Sequence, residues 1–372
     1  MTFLTTTFIT LIALMVFIYA GYPFLLILFS AFKKEKEYNS DYLPTISLII
    51  ACHNEEEIIS EKIKNSLELN YPKDKLEIIV FSDGSTDRTA EIIKSYRDKG
   101  IKLIDFPSHP GKTICQNESV KQANGEIIVF SDANSLYEKS AIKELVKPFS
   151  DEKVATVLGS LKYVQDLKEY NQENLYWIYE SVLKTAESKL GMILGANGAI
   201  YAIRKKHYQD LPAWVISDFI EPLKLNEKRL KTVYRSQALA YEKAPISSFS
   251  RKTRIILRSM SSLTQIKSLF NPFRYPKIST SLFWHKLMRW LSPVWLIAIL
   301  IINIILVLNY PEIAWTKSIL ILQAVFYTLS ILGKYIKILK PFNYFVSINI
   351  ASLLALLLAL TGSRQSTWEI RK

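Results

Sequence analysis

The sequence predicts an α/β fold built on a mainly parallel sheet and joined to transmembrane helices. Three observations point to it. Residues 41–250 alternate short β-rich runs with segments of helical period, the pattern of a sheet covered by helices on both faces. One strand is written twice, as Glu77-Ile-Ile-Val-Phe-Ser-Asp83 and Glu126-Ile-Ile-Val-Phe-Ser-Asp132. No charged residue occurs from Met1 to Phe32, a run longer than the roughly 20 residues that cross a bilayer.

In chain order, residues 1–34 read as an uncleaved transmembrane anchor. A signal peptide would need a basic start and a shorter apolar stretch, whereas here Lys33, Lys34 and Lys36 follow the run. Three further apolar runs, Leu291–Leu308, about Ile313–Leu332 and Tyr344–Thr361, place three spans within residues 291–362. Lysines and arginines cluster after the first span (Lys33, Lys34, Lys36), before the second (Lys286, Arg289) and after the third (Lys334, Lys337, Lys340). All three clusters fall on one side, which the positive-inside rule makes the cytoplasm of a multi-pass inner-membrane protein. The tail, 363–372, then falls outside although it carries Arg364, Arg371 and Lys372. Residues 251–290 are basic and amphipathic, with Ile255, Ile256, Met260, Leu263 and Ile266 near helical spacing, and read as interfacial helices.

At 372 residues and 49% hydrophobic, the chain has room for one sizeable globular domain besides these spans and is too apolar for an ordinary soluble enzyme. The net charge of +13 raises nucleic acid as a partner, but no zinc-ligand spacing, aromatic RNA-binding signature or basic recognition helix accompanies it. The basic excess flanks apolar runs instead, where it suits membrane lipids. Cys52 and Cys115 fall in stretches that read as enzyme interior, consistent with buried thiols in a reducing compartment.

Within 41–250, Ile46–Ala51 reads as a first strand and Glu55–Leu69 as the following helix. Each copy of the duplicated strand ends in an aspartate. At the carboxyl ends of parallel strands loops converge on a crevice where nucleotides bind, so Asp83 and Asp132 are candidate ligand contacts. No Gly-x-Gly-x-x-Gly follows a strand, and His109-Pro110-Gly111-Lys112-Thr113 lacks the upstream glycine of a phosphate-binding loop, which disfavours dinucleotide oxidoreductases and NTPases. A pyrophosphate bound without a glycine-rich cradle needs a divalent cation or basic side chains, and carboxylates at strand ends suit Mg²⁺ or Mn²⁺.

Several motifs in order resemble the family 2 glycosyltransferases, inverting enzymes of the GT-A fold, a Rossmann-like nucleotide-diphospho-sugar transferase domain. Ile49-Ile50-Ala51-Cys52-His53-Asn54-Glu55 is similar to the family's first strand and Asn-Glu turn, and Ser82-Asp83-Gly84-Ser85-Thr86-Asp87 to the loop that grips the nucleoside. The resemblance implies that Asn54, Glu55 and Asp83 read the nucleoside of a UDP-sugar donor and that Lys112 helps balance its diphosphate. Ser131-Asp132-Ala133-Asn134 occupies the place of the family's Asp-x-Asp, implying Mg²⁺ or Mn²⁺ on Asp132 and Asn134, with one charge fewer than usual. Gly195-Ala196-Asn197-Gly198 resembles the small-residue segment under the sugar. Ser217-Asp218-Phe219 stands where the family carries its acidic pair, which makes Asp218 the implied catalytic base. Arg251-Lys252-Thr253-Arg254-Ile255 stands where processive members carry Gln-x-x-Arg-Trp; Arg254 matches, and Arg251 and Arg254 are implied on the acceptor and diphosphate side. Ile255 in place of the tryptophan favours one sugar per acceptor over processive synthesis. The expected acceptor is a lipid-linked or polysaccharide glycan. The alternatives are a processive polysaccharide synthase and an inactive relative that binds nucleotide or lipid.

Overall fold

The computed structural model describes residues 1–164, 172–243 and 249–362, so the tail 363–372 and its basic residues lie outside the described residues. The chain divides into two compact units, one of apolar helices and one built on a sheet. The helical unit opens with α1 (Thr2–Val16) and α2 (Tyr22–Ala31), which continue into each other through a π-helical turn at Phe17–Gly21. Together they form a 30-residue stretch long and apolar enough to cross a membrane.

In the other unit, β1 (Ile46–Cys52), β2 (Leu76–Asp83), β3 (Ile101–Phe106) and β4 (Ile127–Asp132) are parallel and ordered β3-β2-β1-β4. Helices α3 (Ile59–Leu67), α4 (Thr89–Lys94) and α5 (Lys112–Gln122) make the crossovers. The chain then supplies β5 (Leu136–Tyr137), α6 (Ala141–Val146), β6 (Val154–Val164), α7 (Gln172–Leu190), β7 (Tyr201–Arg204), α8 (Ser217–Glu227) and β8 (Lys231–Lys243). These extend the sheet as β4-β7-β6-β8-β5, with β7 antiparallel to both neighbours, β6 and β8 parallel, and β5 antiparallel to β8. The expectation of a mainly parallel sheet therefore holds through β4 and gives way to a mixed sheet beyond it. β7 follows the 195–198 segment, which lies at the carboxyl ends of β1 to β4, so the chain can only run back from that end.

The parallel strands read as continuous apolar runs because both faces of the sheet are covered. Alternate residues feed separate cores: Ile46, Leu48, Ile50 and Cys52 of β1 join Ile78 and Val80 of β2 on one face, while Ile49 and Ala51 join Ile79 and Phe81 on the other. Both copies of the duplicated heptapeptide flank β1, but in registers two residues apart. Ile50 pairs with Val80 on one side and Ser131 on the other, and Ala51 with Phe81 and Asp132. A two-residue offset keeps every side chain on its own face. It also sends Asp83 beyond the level at which Asp132 stops.

The helical unit resumes with α9 (Phe249–Ser262); α10 (Pro276–Ser281), most of which belongs to the sheet unit, leads through a π-helical stretch into α11 (Met288–Asn309), followed by α12 (Ala314–Leu332) and α13 (Lys340–Leu360). With the first, the stretches Pro276–Asn309, Ala314–Leu332 and Lys337–Leu360 make four candidate spans among the described residues, as the hydropathy pattern indicates. Tyr19 donates to Ser292 Oγ at 3.1 Å, and Phe17 meets Trp284 edge-on at 4.7 Å. On α9 the apolar stripe is not left to solvent or lipid alone: Ile256 and Leu257 pack against Ala351 and Ala355 of α13, and Lys252 Nζ stands 4.2 Å from the centre of the Tyr344 ring.

Gly125, just before β4, is demanded by this packing, since a Cβ there would lie 2.4 Å from the backbone of Ile46 and Ser47. Gly125→Ala should therefore cost about 1–3 kcal/mol through displaced backbone. Thermal unfolding of the detergent-purified protein should register this as a Tm lower by about 2–4 °C for each kcal/mol lost.

Candidate active site

At the carboxyl end of β2 the Asp83 carboxylate is fully buried, and donors from the next loop meet it. The Gly111 N–H donates to Oδ1 at 3.1 Å, the Cys115 thiol reaches the same oxygen at 3.3 Å, and His109 Nδ1 stands 3.1 Å from Oδ2. His53 Nδ1 lies 2.7 Å from the Asp83 carbonyl, and the two histidine rings face each other at 4.2 Å. Burial beside Asp83 pushes the Cys115 thiol up, and Cys52 is raised by burial in the same way, so both cysteines are the inert buried thiols expected.

Asn54 turns the chain after β1 with φ of 54°, a left-handed conformation that asparagine tolerates better than most residues. Its side chain accepts from the Thr86 N–H at 2.7 Å, while its own N–H donates to Ser85 Oγ at 3.1 Å. The Glu55 N–H donates to Thr89 Oγ1 at 2.8 Å and the Glu56 N–H to Asp87 Oδ2 at 3.1 Å. These cross-links between residues 54–56 and 85–89 explain why α3 starts at Ile59 rather than at Glu55. They also bring Asn54, Glu55 and the Asp83 loop together.

Lys112 begins α5, directly after the glycine that Asp83 holds, and forms an ion pair with Asp132 at the end of β4. Asp218 lies in the first turn of α8, and the Gly198 N–H donates to its Oδ2 at 2.8 Å. Pro222 explains the neighbouring contact: without an N–H it cannot bond the Asp218 carbonyl one turn back, and the Ala196 N–H takes that carbonyl at 2.7 Å. The small-residue segment is thus laced to α8. A Cβ on Gly198 would stand 3.1 Å from Lys112 Nζ, 3.2 Å from Asp218 Oδ2 and 3.6 Å from Asp132 Oδ2. Lys112, Asp132 and Asp218, distant in sequence, therefore converge on a space that exists because residue 198 has no side chain.

No cluster of three or more carboxylate, histidine or cysteine ligands occurs among the described residues. Asp132 stands at the rim of the Gly198 space with Asn134 two residues on. One carboxylate and one amide fit Mg²⁺ or Mn²⁺ of the kind that takes most of its ligands from phosphates and water. Arg251 and Arg254 sit on α9, in the helical unit.

Two ionisable groups escaped the sequence reading. Lys62 of α3 is fully buried, donates to the Ser135 carbonyl and stands 3.9 Å from the centre of the Tyr137 ring; burial brings its pKa down to about 7, against the pull of Asp132 and Glu242. It ties down the turn that carries Asn134. Glu221 lies one turn after Asp218, buried, and accepts from the Tyr201 hydroxyl at 3.0 Å. Burial raises its pKa to about 8, opposed by the Tyr201 bond and assisted by the Asp218 charge. The i, i+3 spacing of the two acids was the available signal.

The Glycosyl transferase family 2 profile matches residues 47–229. A probable glycosyltransferase, YdaM of Bacillus subtilis, is 33% identical over 187 residues, 47% of this chain and 44% of that protein. A poly-beta-1,6-N-acetyl-D-glucosamine synthase of Staphylococcus epidermidis is 27% identical over 230 residues, 58% of this chain and 55% of the synthase. The chain thus spans about half the length of the curated relatives it matches. Among solved structures, the mannosyltransferase PcManGT of Pyrobaculum calidifontis, in complex with GDP-Man and Mn²⁺, superposes with a TM-score of 0.76 at 20% identity, covering 96% of this chain and 99% of that one. That likeness establishes the GT-A fold.

Because Glu221 keeps its proton in the folded protein from its ordinary pKa near 4.5 up to about 8, the folded state binds more protons than the unfolded one in that window. The stability this group confers is fully present below pH 4.5 and is lost as pH rises through 8. Glu221→Gln should flatten the fall in stability between pH 5 and 9 by an amount on the order of a few kcal/mol, read as a smaller drop in Tm over that range. An unchanged pH profile of Tm in that variant would show that Glu221 titrates normally.

Proposed function

From the match of residues 47–229 to the Glycosyl transferase family 2 profile, we propose that the chain is a family 2 glycosyltransferase that transfers a single sugar, with inversion, from a UDP-sugar to a lipid-linked or polysaccharide acceptor. The convergence of Lys112, Asp132 and Asp218 on Gly198 carries this reading. Inversion is one in-line displacement. The acceptor oxygen attacks the anomeric carbon, its proton passes to the Asp218 carboxylate, and the bond to the nucleoside diphosphate breaks with the electron pair leaving on phosphate oxygen. The Gly198 N–H holds Asp218 Oδ2 at 2.8 Å, which fixes the orientation of the carboxylate that takes the proton.

The charge that develops on the departing diphosphate must be balanced where it forms, and Lys112 stands ready to do so. Asp132 and Asn134 would hold Mg²⁺ or Mn²⁺, and that ion supplies further positive charge to the diphosphate. Asn54 and Glu55, on the loop that Asp83 fixes, read the nucleoside. Arg251 and Arg254 serve the acceptor and diphosphate side. The positive residues beside the spans favour a multi-pass protein of the inner membrane with this domain in the cytoplasm.

The poly-N-acetylglucosamine synthases among the relatives favour a second reading, a processive synthase. Ile255 in place of the tryptophan of processive members weighs against it.

Nucleoside diphosphate release should be measured from a panel of nucleotide-sugars, with and without Mn²⁺, using nanodisc-reconstituted protein and a mixture of lipid phosphates and glycolipids. Metal-stimulated release from one donor is expected. Asp218→Asn should lower turnover by about 10²–10⁴-fold while donor affinity stays within about threefold, as loss of a general base requires. Undiminished turnover in that variant would remove Asp218 from the role, and products longer than one added sugar would favour the processive reading.

A further inference from the structure

A cavity in the sheet unit is lined by none of Gly198, Lys112, Asp132 and Asp218. It encloses about 560 Å³ between the chain that follows α2, the end of α7, the turn from α8 into β8, and residues 274–278. Its lining is strongly basic, and Glu35 is the one carboxylate in it. Some of the cations are already satisfied: Lys36 and Lys231 share Asp151, and Arg235 is held by Glu144 and Glu35. Lys34, Lys189, Arg229, Arg274 and Lys277 are different, because among the described residues no carboxylate lies within ion-pair distance of any of them. All five are exposed, and Lys277 also donates to the Leu190 carbonyl at 3.0 Å, so together they give this open space an excess of positive charge that an anion would balance.

Arg229 sharpens the point. It follows α8 with φ of 59°, a left-handed position where glycine or asparagine is the unstrained choice. Arg229 is one of the residues that line the cavity. The remaining walls are partly apolar, with Ile193, Val233 and Ile278 among them. The space is also several times larger than an inorganic phosphate needs. Finally, Lys34 comes three residues after the end of α2 at Ala31, so the chain can carry it no more than about 11 Å from the end of the first candidate span.

We propose that this cavity is a binding site for the phosphate headgroup of an anionic phospholipid, separate from the donor site. The unpaired cations take the phosphate and the apolar wall takes the glycerol end. Asp218 and Asn226 lie eight residues apart on α8, about 12 Å along its axis, so one helix has the candidate base at one end and this cavity at the other.

Binding alone tests this, so the outcome is independent of whether the chain transfers sugar. The full chain, purified in a neutral detergent, is titrated with short-chain phosphatidylglycerol, short-chain phosphatidylcholine and inorganic phosphate, and each is followed by thermal shift. Phosphatidylglycerol should bind at least tenfold more tightly than either of the others. The triple variant Lys189→Gln, Arg274→Gln, Lys277→Gln should weaken phosphatidylglycerol at least tenfold. A control triple at exposed lysines elsewhere on the same unit, Lys64→Gln, Lys99→Gln, Lys139→Gln, should change it less than twofold. Should the cavity triple fail to fold, Arg229→Asn keeps the backbone preference and should weaken binding at least threefold. Equal losses in the cavity and control triples, or no loss in the cavity variants, would overturn the site. Inorganic phosphate binding as tightly as the lipid would replace the headgroup with a soluble anion and overturn the lipid assignment.

Discussion

A carboxylate taken fully out of water must be met by donors, and at Asp83 they come from the segment that opens α5: the Gly111 N–H, the Cys115 thiol and the His109 ring. Because Gly111 is the residue before α5, the hydrogen bond that satisfies Asp83 also sets where that helix begins. Lys112 is the first residue of the helix, so its ammonium is delivered to Asp132 by the same contact. The Asp83 carbonyl meanwhile engages His53 at the end of β1. One buried group therefore ties two strand ends and a helix start into a single frame.

The opposite side of the site is fixed by a different device. α8 carries a proline that leaves the Asp218 carbonyl without its partner in the helix, and the 195–198 segment fills the vacancy. The second bond between them, from Gly198 to the Asp218 side chain, holds the carboxylate toward the cluster. A helix defect and a run of small residues act together here: the defect supplies the acceptor, and the absence of side chains lets the backbone come close enough to use it. Glu221, one turn on, adds a buried acid that stays neutral at ordinary pH, so it does not compete with Asp218 for positive charge.

Much of this was legible in the sequence, because the signals were local. Apolar runs without charge mark the spans. The repeated heptapeptide marks two strand ends, and Asp132, Lys112 and Asp218 each sit beside a recognisable motif. The mixed half of the sheet was not legible: short runs such as Tyr201–Arg204 carry no mark of direction, which here depends on the end of the sheet from which the chain arrives. Lys62 was not legible either, since nothing along the chain shows that it is buried against Tyr137. Gly198 was marked only as part of a small-residue segment, and which side chains meet there follows from what surrounds the atom it lacks.

The duplicated strand poses a sorting problem while the chain folds. Two identical heptapeptides, both apolar and both suited to lie beside β1, could each dock in the other's slot, and their side chains alone would not tell the two arrangements apart. What distinguishes them is the residue just before each copy: Leu76 pairs opposite Ile46 on one side, whereas on the other only a residue without a Cβ can pass the backbone of Ile46 and Ser47. Gly125 works as a key that admits the second copy to its slot and keeps the first one out. The residue before each repeat thus differs with the slot it fills, and the two aspartates end at different levels beside β1.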